Sequence, residues 1–468
     1  MLKKKKGGEL LMNGVKTNNH KLITVSLLIL SLFVIISVSI GDASASSDNL
    51  YVNGSSGNDS WDGESATWNG TSGPKATISN ATGTVDDNGI VNIAGEQTYT
   101  GTLNTGITLT KNMSIIGESE DNTVIDAANL ASIFTINEGL TVTISYLTLT
   151  NGHTNGDGGT ITNHGTLFLE DVTFSNNHAN RDGGAIYNTG DLTVSDSSFN
   201  NNHAYRDGGA IYNSGSLTVS NNDDSSEFDS NFANRDGGAI YNINTIDISS
   251  DNTFNSNNAY EGGAIYTNGD ATISGSEFNT NSAYEGGAIF VNGSATTANC
   301  NYDSNSATNG GAIMNYGTLE VSDSSFSSNT GNRGGAIYNY DTATVSYSSF
   351  ESNDAVYGGA IYNNDATLYY NSFTSNSATW GGAIYNDNIL EVIENTFDNN
   401  IADNKGGAIY NNATLNIEGG KSPSEFNNNY AQYHGGAIYN TATATINDTN
   451  FTNNTSQYGG AITTGTTT

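Results

Sequence analysis

The chain has 468 residues, of which 14 are Lys or Arg, 47 are Asp or Glu, 55 are Gly and one is Cys. The formal net charge of −33 argues against nucleic-acid binding, because the neutralisation of phosphates requires Lys and Arg. The single cysteine excludes an intramolecular disulfide framework and argues against a cysteine-based zinc site.

Residues 1–45 have the organisation of a secretory signal. Six lysines precede the uncharged run at residues 22–41, and residues 43–45 (Ala-Ser-Ala) match a small-x-small cleavage pattern. We expect a signal peptide cleaved after Ala45. An uncleaved N-terminal anchor is the alternative, because an apolar run of this length can span a bilayer. In both cases the rest of the chain is exported, and it would contact a membrane only through this segment.

Two segments follow before the main repeats. Residues 46–88 are polar, and we expect them to form a cap that covers the N-terminal edge of a repetitive β structure, since an open edge promotes aggregation. Residues 89–157 alternate apolar and polar residues, as in IVNI at residues 90–93 and TVTI at residues 141–144. This alternation predicts short β-strands that belong to the same structure.

Residues 158–468 consist of repeats with two motifs. The first motif is Gly-Gly-Ala-Ile or a close variant. The second motif, Phe-x-x-Asn, lies eight or nine residues before most copies of the first, and Tyr302 replaces Phe in one copy. The first motif begins at residues 158, 183, 208, 237, 262, 286, 310, 334, 358, 381, 406, 435 and 459. This recurrence every 23 to 29 residues indicates a solenoid.

The residues between the motifs predict which kind of solenoid forms. Each unit contains period-two alternation, as at Leu192/Val194 and Leu319/Val321, and lacks the apolar stripes of helices. Gly, Asn, Asp and Ser separate these short strands and favour turns. We therefore predict an all-β fold, a parallel β-helix with about 24 residues and three short strands per coil.

In such a fold, equivalent residues of successive coils stack about 4.8 Å apart. The predicted inward ladders contain Ile186, Ile211, Ile240 and Ile337; Phe174, Phe199 and Phe326; and Asn177, Asn202 and Asn329. Alternation around the inward Ile places the Ala and Tyr of the motif outward. The predicted outer tyrosine column contains Tyr187, Tyr212, Tyr241, Tyr338, Tyr362, Tyr385, Tyr410 and Tyr439.

The sequence resembles two groups of surface proteins. GGAIYN at residues 183–188, combined with Phe-x-x-Asn, resembles the repeats of chlamydial polymorphic outer-membrane proteins. YVNGSSGNDSWDG at residues 51–63 and TLTNGHTNGDGG at residues 148–159 are similar to the adhesin-like surface proteins of methanogenic archaea. The resemblance implies a right-handed β-helix of the pectin-lyase type at the cell surface, and adhesion to glycans, cells or other surface proteins.

A β-helix can also be a polysaccharide lyase or hydrolase, so an enzyme similar to pectate lyase or polygalacturonase is one alternative. A lyase needs a carboxylate cluster and a basic proton acceptor. Arg181, Arg206 and Arg235 occupy one repeat position, which indicates a structural ladder and not a catalyst. We expect no catalytic residues and no cofactor. A structural spacer of the cell wall is the other alternative.

Three further features have both a functional and a structural interpretation. The tyrosine column is the candidate binding surface for glycans or proteins, although stacked Tyr side chains also stabilise a sheet. His178 and His203 share a repeat column near acidic residues, yet we expect solvated turn residues and no metal site. Cys300 takes a small-residue position and is predicted to be buried and unreactive.

Overall fold

The computed structural model describes residues 48–222 and 224–465, so the predicted signal or anchor segment lies outside the described residues. The described chain is a parallel β-solenoid of about 15 turns with about 25 residues per turn, which confirms the predicted fold class. Within these ranges there is one helix, α1, at Ile78–Thr84. Thr77 caps α1 by accepting a hydrogen bond from the backbone N–H of Asn80. No helix in the described ranges has the length and apolar character needed to cross a bilayer.

The strands form three parallel faces, and from Gly89 onward each coil contributes one strand, or part of a longer strand, to each face. Face 1 contains the Ile-Tyr-Asn strands of the glycine motif and their counterparts in earlier coils. Its strands are Ile107–Leu109, Phe134–Ile136, Ile161–Asn163, Ile186–Asn188, Ile211–Asn213, Ile240–Asn242, Ile265–Thr267, Ile289–Val291, Ile313–Asn315, Ile409–Asn411, Ile438–Asn440 and Ile462–Thr464. Three longer strands run from face 1 into face 2: Ile337–Ser346, Ile361–Tyr369 and Ile384–Ile393.

Face 2 contains the strands with apolar residues at alternate positions. They are Asn49–Val52, Gly89–Ile93, Met113–Ile116, Asp191–Ser195, Ser216–Ser220, Thr245–Ile248, Asp270–Ser274, Ser294–Ala298, Thr318–Ser322, Thr414–Glu418 and Thr443–Ile446. Two strands run from face 2 into face 3: Thr141–Thr150 and Thr166–Ser175.

Face 3 contains the strands of the Phe-x-x-Asn motif. They are Gln97–Thr100, Thr123–Asp126, Ser198–Asn200, Glu227–Asp229, Thr253–Asn255, Glu277–Asn279, Asn301–Asp303, Ser325–Ser327, Ser349–Glu351, Ser372–Thr374, Thr396–Asp398, Ser424–Asn427 and Thr449–Thr452. Short corner strands between faces 3 and 1 form two small parallel sheets. They are His153–Thr154, His178–Ala179, His203–Ala204 and Phe232–Ala233, and then Asp354–Tyr357, Ser377–Trp380, Ile401–Lys405, Tyr430–His434 and Thr455–Tyr458.

The interior is filled by ladders of identical or similar residues. Ile186 pairs in register with Ile211, and both are fully buried. On face 3 the buried rings from Phe174 to Phe426 stack with centroids 4.6 to 5.0 Å apart. The continuous core explains how one narrow coil after another is stabilised without disulfides.

Buried asparagines connect the coils at the corner after face 3. Asn177 Nδ2 donates to Asn202 Oδ1 at 2.9 Å, and Asn329 Nδ2 donates to Asn353 Oδ1 at 3.0 Å. Each side chain also donates to a backbone carbonyl, as Asn329 does to Tyr302 at 2.9 Å. The ladder thus satisfies buried polar groups that the turn would otherwise leave unpaired.

The glycine pair lies where neighbouring coils approach each other closely. The first glycine of each pair has positive φ, 68° at Gly183 and 63° at Gly334. A Cβ on Gly184 would lie 2.0 Å from the carbonyl oxygen of Gly209 in the next coil. The position therefore excludes any side chain, and the motif requires two glycines.

The predicted outward orientation of the motif Ala is wrong. Ala185 and its counterparts in the other motif copies with Ala before Ile, through Ala437, are fully buried. Strand alternation begins only at Ile186, so it does not extend back to Ala185. The Ala185 carbonyl accepts hydrogen bonds from the N–H groups of Thr160 and Ile161, which packs this residue under the neighbouring coil.

The segment at residues 48–88 packs against the first coils. Its strand Asn49–Val52 pairs in parallel with Gly89–Ile93, and Leu50 and Ile78 are fully buried in the common core. The described part of this segment thus joins the solenoid, and its role as a cap stays a prediction.

Candidate functional site

The tyrosine column runs along the outer side of face 1. Tyr187 pairs in register with Tyr212, and Tyr212 pairs with Tyr241, with ring centroids 5.0 and 5.2 Å apart. The column continues through Tyr266, Phe290, Met314, Tyr338, Tyr362, Tyr385, Tyr410 and Tyr439. The predicted residues are therefore brought into one line.

This column is less accessible than a uniformly external face. Tyr266, Phe290, Met314 and Tyr338 form a buried apolar cluster on the outside of the coil, and Tyr439 is only 8% exposed. Neighbouring rings cover these side chains even though alternation directs them away from the core. The accessible parts are two half-buried segments, one at each end of the cluster, which contain Tyr187, Tyr212 and Tyr241, and Tyr362, Tyr385 and Tyr410.

Stacking determines which part of each ring can contact a ligand. Tyr362 and Tyr385 stack at 5.1 Å with an interplanar angle of 11°, and Tyr385 and Tyr410 stack at 4.8 Å and 6°. The ring faces are therefore largely covered by the neighbouring coils, which leaves the ring edges and hydroxyl groups for solvent. Burial raises the pKa of Tyr385 to about 12, so its hydroxyl stays protonated at neutral pH and can donate a hydrogen bond.

A second column, which we call the pre-glycine column, lies beside the first. It consists of the residue before each glycine pair, and parallel bridges join its members from coil to coil between Asp236 and Tyr458. Its members are Asp157, Asp182, Asp207, Asp236, Glu261, Glu285, Asn309, Arg333, Tyr357, Trp380, Lys405, His434 and Tyr458. The chemistry of the column thus changes along the solenoid, from acidic to aromatic and basic.

The first members of the acidic part of this column are paired with arginines. Arg206 Nε lies 3.3 Å from Asp182, and Arg235 Nε lies 3.4 Å from Asp207. Arg181 lies 3.3 Å from Asp157 in the same way. Burial raises the pKa of Asp207 to about 6 in spite of its arginine. The repeated arginines thus accompany stacked carboxylates, which is a structural arrangement.

The aromatic part of the column lies against the accessible tyrosines. Tyr357 stacks on Trp380 at 4.8 Å, and the Tyr357 ring meets Tyr385 edge to face at 5.4 Å. Two aromatic columns are therefore in contact side by side. We call this surface the aromatic strip. It contains Arg333, Tyr357, Trp380, Lys405 and His434 from the pre-glycine column and Tyr362, Tyr385, Tyr410 and Tyr439 from the tyrosine column.

Two cationic side chains lie on the aromatic strip. Lys405 Nζ is 4.5 Å from the centroid of the Tyr439 ring and donates to the Tyr439 hydroxyl at 3.2 Å. Arg333 is exposed at one end of the strip, with its guanidinium carbon 5.8 Å from the centroid of the Tyr362 ring. Among the described carboxylates, none lies within 4 Å of either cation.

A shallow groove of about 690 Å³ lies on another part of the surface, at the corner between faces 2 and 3. Exposed Tyr347 and Tyr370 stack at 4.9 Å at one end, and the acidic side chains of Asp251, Glu277 and Asp323 line the rest. The groove contains no basic side chain among its lining residues. The exposed tyrosine pair of this groove therefore lies in an acidic environment, whereas the aromatic strip carries basic side chains.

Three histidines lie in one column, with ring centroids 4.9 Å apart for His153 and His178, which meet edge to face, and 4.8 Å for His178 and His203, which are tilted by 35°. Burial lowers the pKa of His178 and His203. Within residues 48–222 and 224–465, no group of three or more His, Cys, Asp or Glu side chains is arranged to hold a metal ion.

Sequence reasoning identified the three arginines beside the pre-glycine column but not the column itself. The signal was present, because the position before each glycine pair can be read directly from the repeat. Along the second half of the column the residue type changes from each coil to the next, however, so a search for repeated residues does not detect it.

The glycine and phenylalanine motifs match a family model. The model, described as the Chlamydia polymorphic membrane protein (Chlamydia_PMP) repeat, matches residues 171–189, 196–214, 225–243, 323–340, 372–387, 396–412 and 423–441. The chain therefore contains repeats similar to those of these proteins, which suggest a β-helical protein at the cell surface or outer membrane. No curated protein matches the chain.

Solved structures resemble the chain only distantly. The Azotobacter vinelandii mannuronan C-5 epimerase AlgE6 A-module has 13% identity and a TM-score of 0.27, with 81% of this chain and 92% of that chain covered. ORF18 of Geobacillus virus E2 has 11% identity and a TM-score of 0.23, with 92% and 66% covered. The chain is thus a β-solenoid with repeats that match the polymorphic membrane protein repeat model.

Proposed function

We propose that the protein is an exported, adhesin-like surface protein without catalytic activity, and that it binds glycans through the aromatic strip. The observation that carries the proposal is the contact between Tyr357 of the pre-glycine column and Tyr385 of the tyrosine column. It brings the stacked pair Tyr357–Trp380 beside the stacked pair Tyr362–Tyr385. Aromatic side chains combine apolar area with hydrogen-bonding groups, which suits contact with the apolar and hydroxyl parts of a sugar.

Export and surface display are supported by two independent features. The sequence of residues 1–45 is typical of a signal peptide or an N-terminal anchor. The repeats are similar to those of polymorphic membrane proteins. The resemblance to the adhesin-like surface proteins of methanogenic archaea supports the adhesive role and a right-handed helix of the pectin-lyase type.

The absence of catalysis is supported by the nature of the strip. Its side chains are aromatic and basic, whereas a glycosidase needs two carboxyl groups at a fixed separation across the scissile bond. The carboxylate column beside Tyr187, Tyr212 and Tyr241 is paired with arginines. A reducing-sugar assay and an unsaturated-uronate assay on acidic and neutral glycans should therefore detect no product.

Binding to an array of glycans and to intact cells tests the proposal. The test variant is Tyr385→Ser/Tyr410→Ser, and the matched control is Tyr347→Ser/Tyr370→Ser, which removes a stacked pair from the distant groove. We expect only the first variant to lose binding while both keep the β-sheet circular dichroism of the unmodified protein. Unchanged binding by a folded Tyr385→Ser/Tyr410→Ser variant would contradict the proposal.

A further inference from the structure

We propose that the ligand of the aromatic strip is an anionic polysaccharide, whose carboxylate or sulfate groups are bound by Arg333, Lys405 and the edges and hydroxyls of the stacked tyrosines. This inference rests on the proposed function and specifies the chemical class of the glycan. It follows from which parts of the rings remain free and from where the unpaired cations lie.

The geometry of the rings favours an anion. A sugar that stacks on an aromatic ring needs a free ring face, but Tyr385 is covered on its two sides by Tyr362 and Tyr410. The accessible edge of an aromatic ring carries partial positive charge, because the π-system concentrates negative charge on the faces. A row of ring edges therefore attracts negative groups more than it attracts neutral ones.

The hydroxyl groups add hydrogen-bond donors to these edges. The Tyr362 hydroxyl donates to Asp387 at 3.0 Å, and the Tyr439 hydroxyl accepts from Lys405. The hydroxyls of Tyr385 and Tyr410 have no hydrogen-bond partner among the described residues, so both remain free to donate to a ligand. Hydrogen bonds from a neutral donor to a charged acceptor are stronger than those to a neutral acceptor.

The distribution of the basic residues also favours an anionic ligand. Eight Lys or Arg residues follow residue 47, and Arg181, Arg206 and Arg235 are in ion pairs. Lys75 and Lys111 donate to backbone carbonyl oxygens. Of the remaining three, Arg333 and Lys405 are on the aromatic strip, and only Lys421 lies elsewhere, in an exposed loop.

The net charge of the chain makes this placement significant. With a formal charge of −33, most of the surface repels a polyanion, so such a ligand can bind only where local cations outweigh the general field. Arg333 and Lys405 occupy the same column three coils apart, about 14 Å at the strand spacing of a sheet. A linear polymer along the solenoid axis can therefore contact both cations and the hydroxyls between them.

Binding of three polymers measured in 20 mM and 300 mM salt tests the inference. The probes are polygalacturonate, which carries carboxylates, dextran sulfate, which carries sulfates, and unsubstituted dextran, which is neutral. We expect the protein to bind at least one polyanion at low salt, to bind it more weakly at high salt, and to bind dextran at least tenfold more weakly. The comparison of the two polyanions identifies which anionic group is preferred.

The test variant is Arg333→Gln/Lys405→Gln, and the control is Arg181→Gln/Lys421→Gln, which removes the same charge from exposed cations outside the strip. We expect the test variant to lose about tenfold or more in polyanion affinity, since it removes both charged hydrogen-bond donors of the strip. Equal losses in both variants would overturn the assignment to the strip. A Tyr385→Phe/Tyr410→Phe variant that binds as the unmodified protein does would overturn the role of the hydroxyls.

The outcomes separate this inference from the proposed function. Equal binding of dextran and dextran sulfate that depends on Tyr385 and Tyr410 would overturn the anionic ligand and leave glycan binding intact. If the unmodified protein binds no glycan at all, both this inference and the proposed function are overturned.

Discussion

Nε of Arg235 lies 3.4 Å from Oδ1 of Asp207 in the preceding coil, yet the aspartate remains difficult to ionise. Burial raises the pKa of Asp207 to about 6, and the attraction of Arg235 only partly offsets this effect. Asp236, the next carboxyl group in the column, also has a pKa of about 6, because of burial and the nearby charge of Glu261. Stacking thus creates a column of carboxyl groups that take up protons just below neutral pH.

These pKa values predict that the carboxyl column makes the protein more stable as the pH falls from 7 to 5. The folded state binds protons near pH 6, whereas the carboxyl groups of the unfolded chain bind them only near the ordinary pKa of 3.8. Stability therefore increases as the pH falls through this window. In an Asp207→Asn/Asp236→Asn variant this gain should be lost, and thermal unfolding at pH 7 and pH 5 measures it.

The histidines act in the opposite direction. Burial lowers the pKa of His178 and His203, so the unfolded chain takes up their protons first and stability falls as the pH decreases. The comparison of variant with unmodified protein cancels this contribution. Asp191→Asn/Asp323→Asn, at two exposed positions, is the charge-matched control. An equal shift of the unfolding temperature in the unmodified protein and the Asp207→Asn/Asp236→Asn variant would contradict the prediction.

The second prediction concerns the glycine pair. In a Gly335→Ala variant, the new Cβ would lie 2.1 Å from the carbonyl oxygen of Gly359 and 2.8 Å from the backbone of Asp354. Because these atoms belong to the next coil, the coils must move apart, and we expect a loss of at least about 3 kcal/mol in unfolding free energy. Urea unfolding followed by circular dichroism measures this loss.

Gly83→Ala is the matched control for this substitution. A Cβ on Gly83 would have no neighbour within 4 Å, and the residue lies in α1. Since Ala favours a helix over Gly, we expect a change of at most about 1 kcal/mol, in the stabilising direction. Similar destabilisation by both substitutions would show that close approach of the coils is not the reason for the glycine pair.

The third prediction concerns the asparagine ladder. Asn329 donates to Tyr302 O and Asn353 Oδ1, and its Oδ1 accepts from the N–H and side chain of Asn305. Asn329→Ala leaves these buried groups without partners, and we expect it to cost about 2–4 kcal/mol. Asn332→Ala, at an exposed position nearby, should change stability by less than about 0.5 kcal/mol. Equal urea midpoints for the two variants would contradict a structural role of the ladder.

The success of sequence reasoning differs between the interior and the surface. The ladders of Ile186, Phe174 and Asn177 follow from spacing alone, because a repeated interior position must hold the same kind of residue in every coil. The burial of Ala185 does not follow from the spacing, because period-two alternation applies only within a strand and this strand begins at Ile186. The burial of Tyr338 depends on Met314 and its neighbours, which pack on the outside of the coil. Such contacts depend on the particular residue in each coil and leave no periodic signal.

The last prediction concerns Cys300, whose side chain is 2% exposed. Burial raises the pKa of its thiol, and Sγ lies 3.3 Å from the carbonyl oxygen of Ala298, to which it donates. Ser324 occupies the equivalent position in the next coil and donates to Ser322 O at 2.8 Å. A thiol with this burial and pKa should not react with a thiol reagent at pH 8 in the folded protein, and one equivalent should react after denaturation.

A serine at this position should fit the column. In Cys300→Ser the hydroxyl can make the same contact as that of Ser324. We therefore expect the free energy of unfolding, measured by urea unfolding, to change by less than about 1 kcal/mol. Cys300→Leu is the informative comparison, because a larger side chain must displace the neighbouring coil and should cost about 1–3 kcal/mol. Rapid labelling of Cys300 in the folded protein would show that the coils open locally at this position, which would contradict the close stacking of this column.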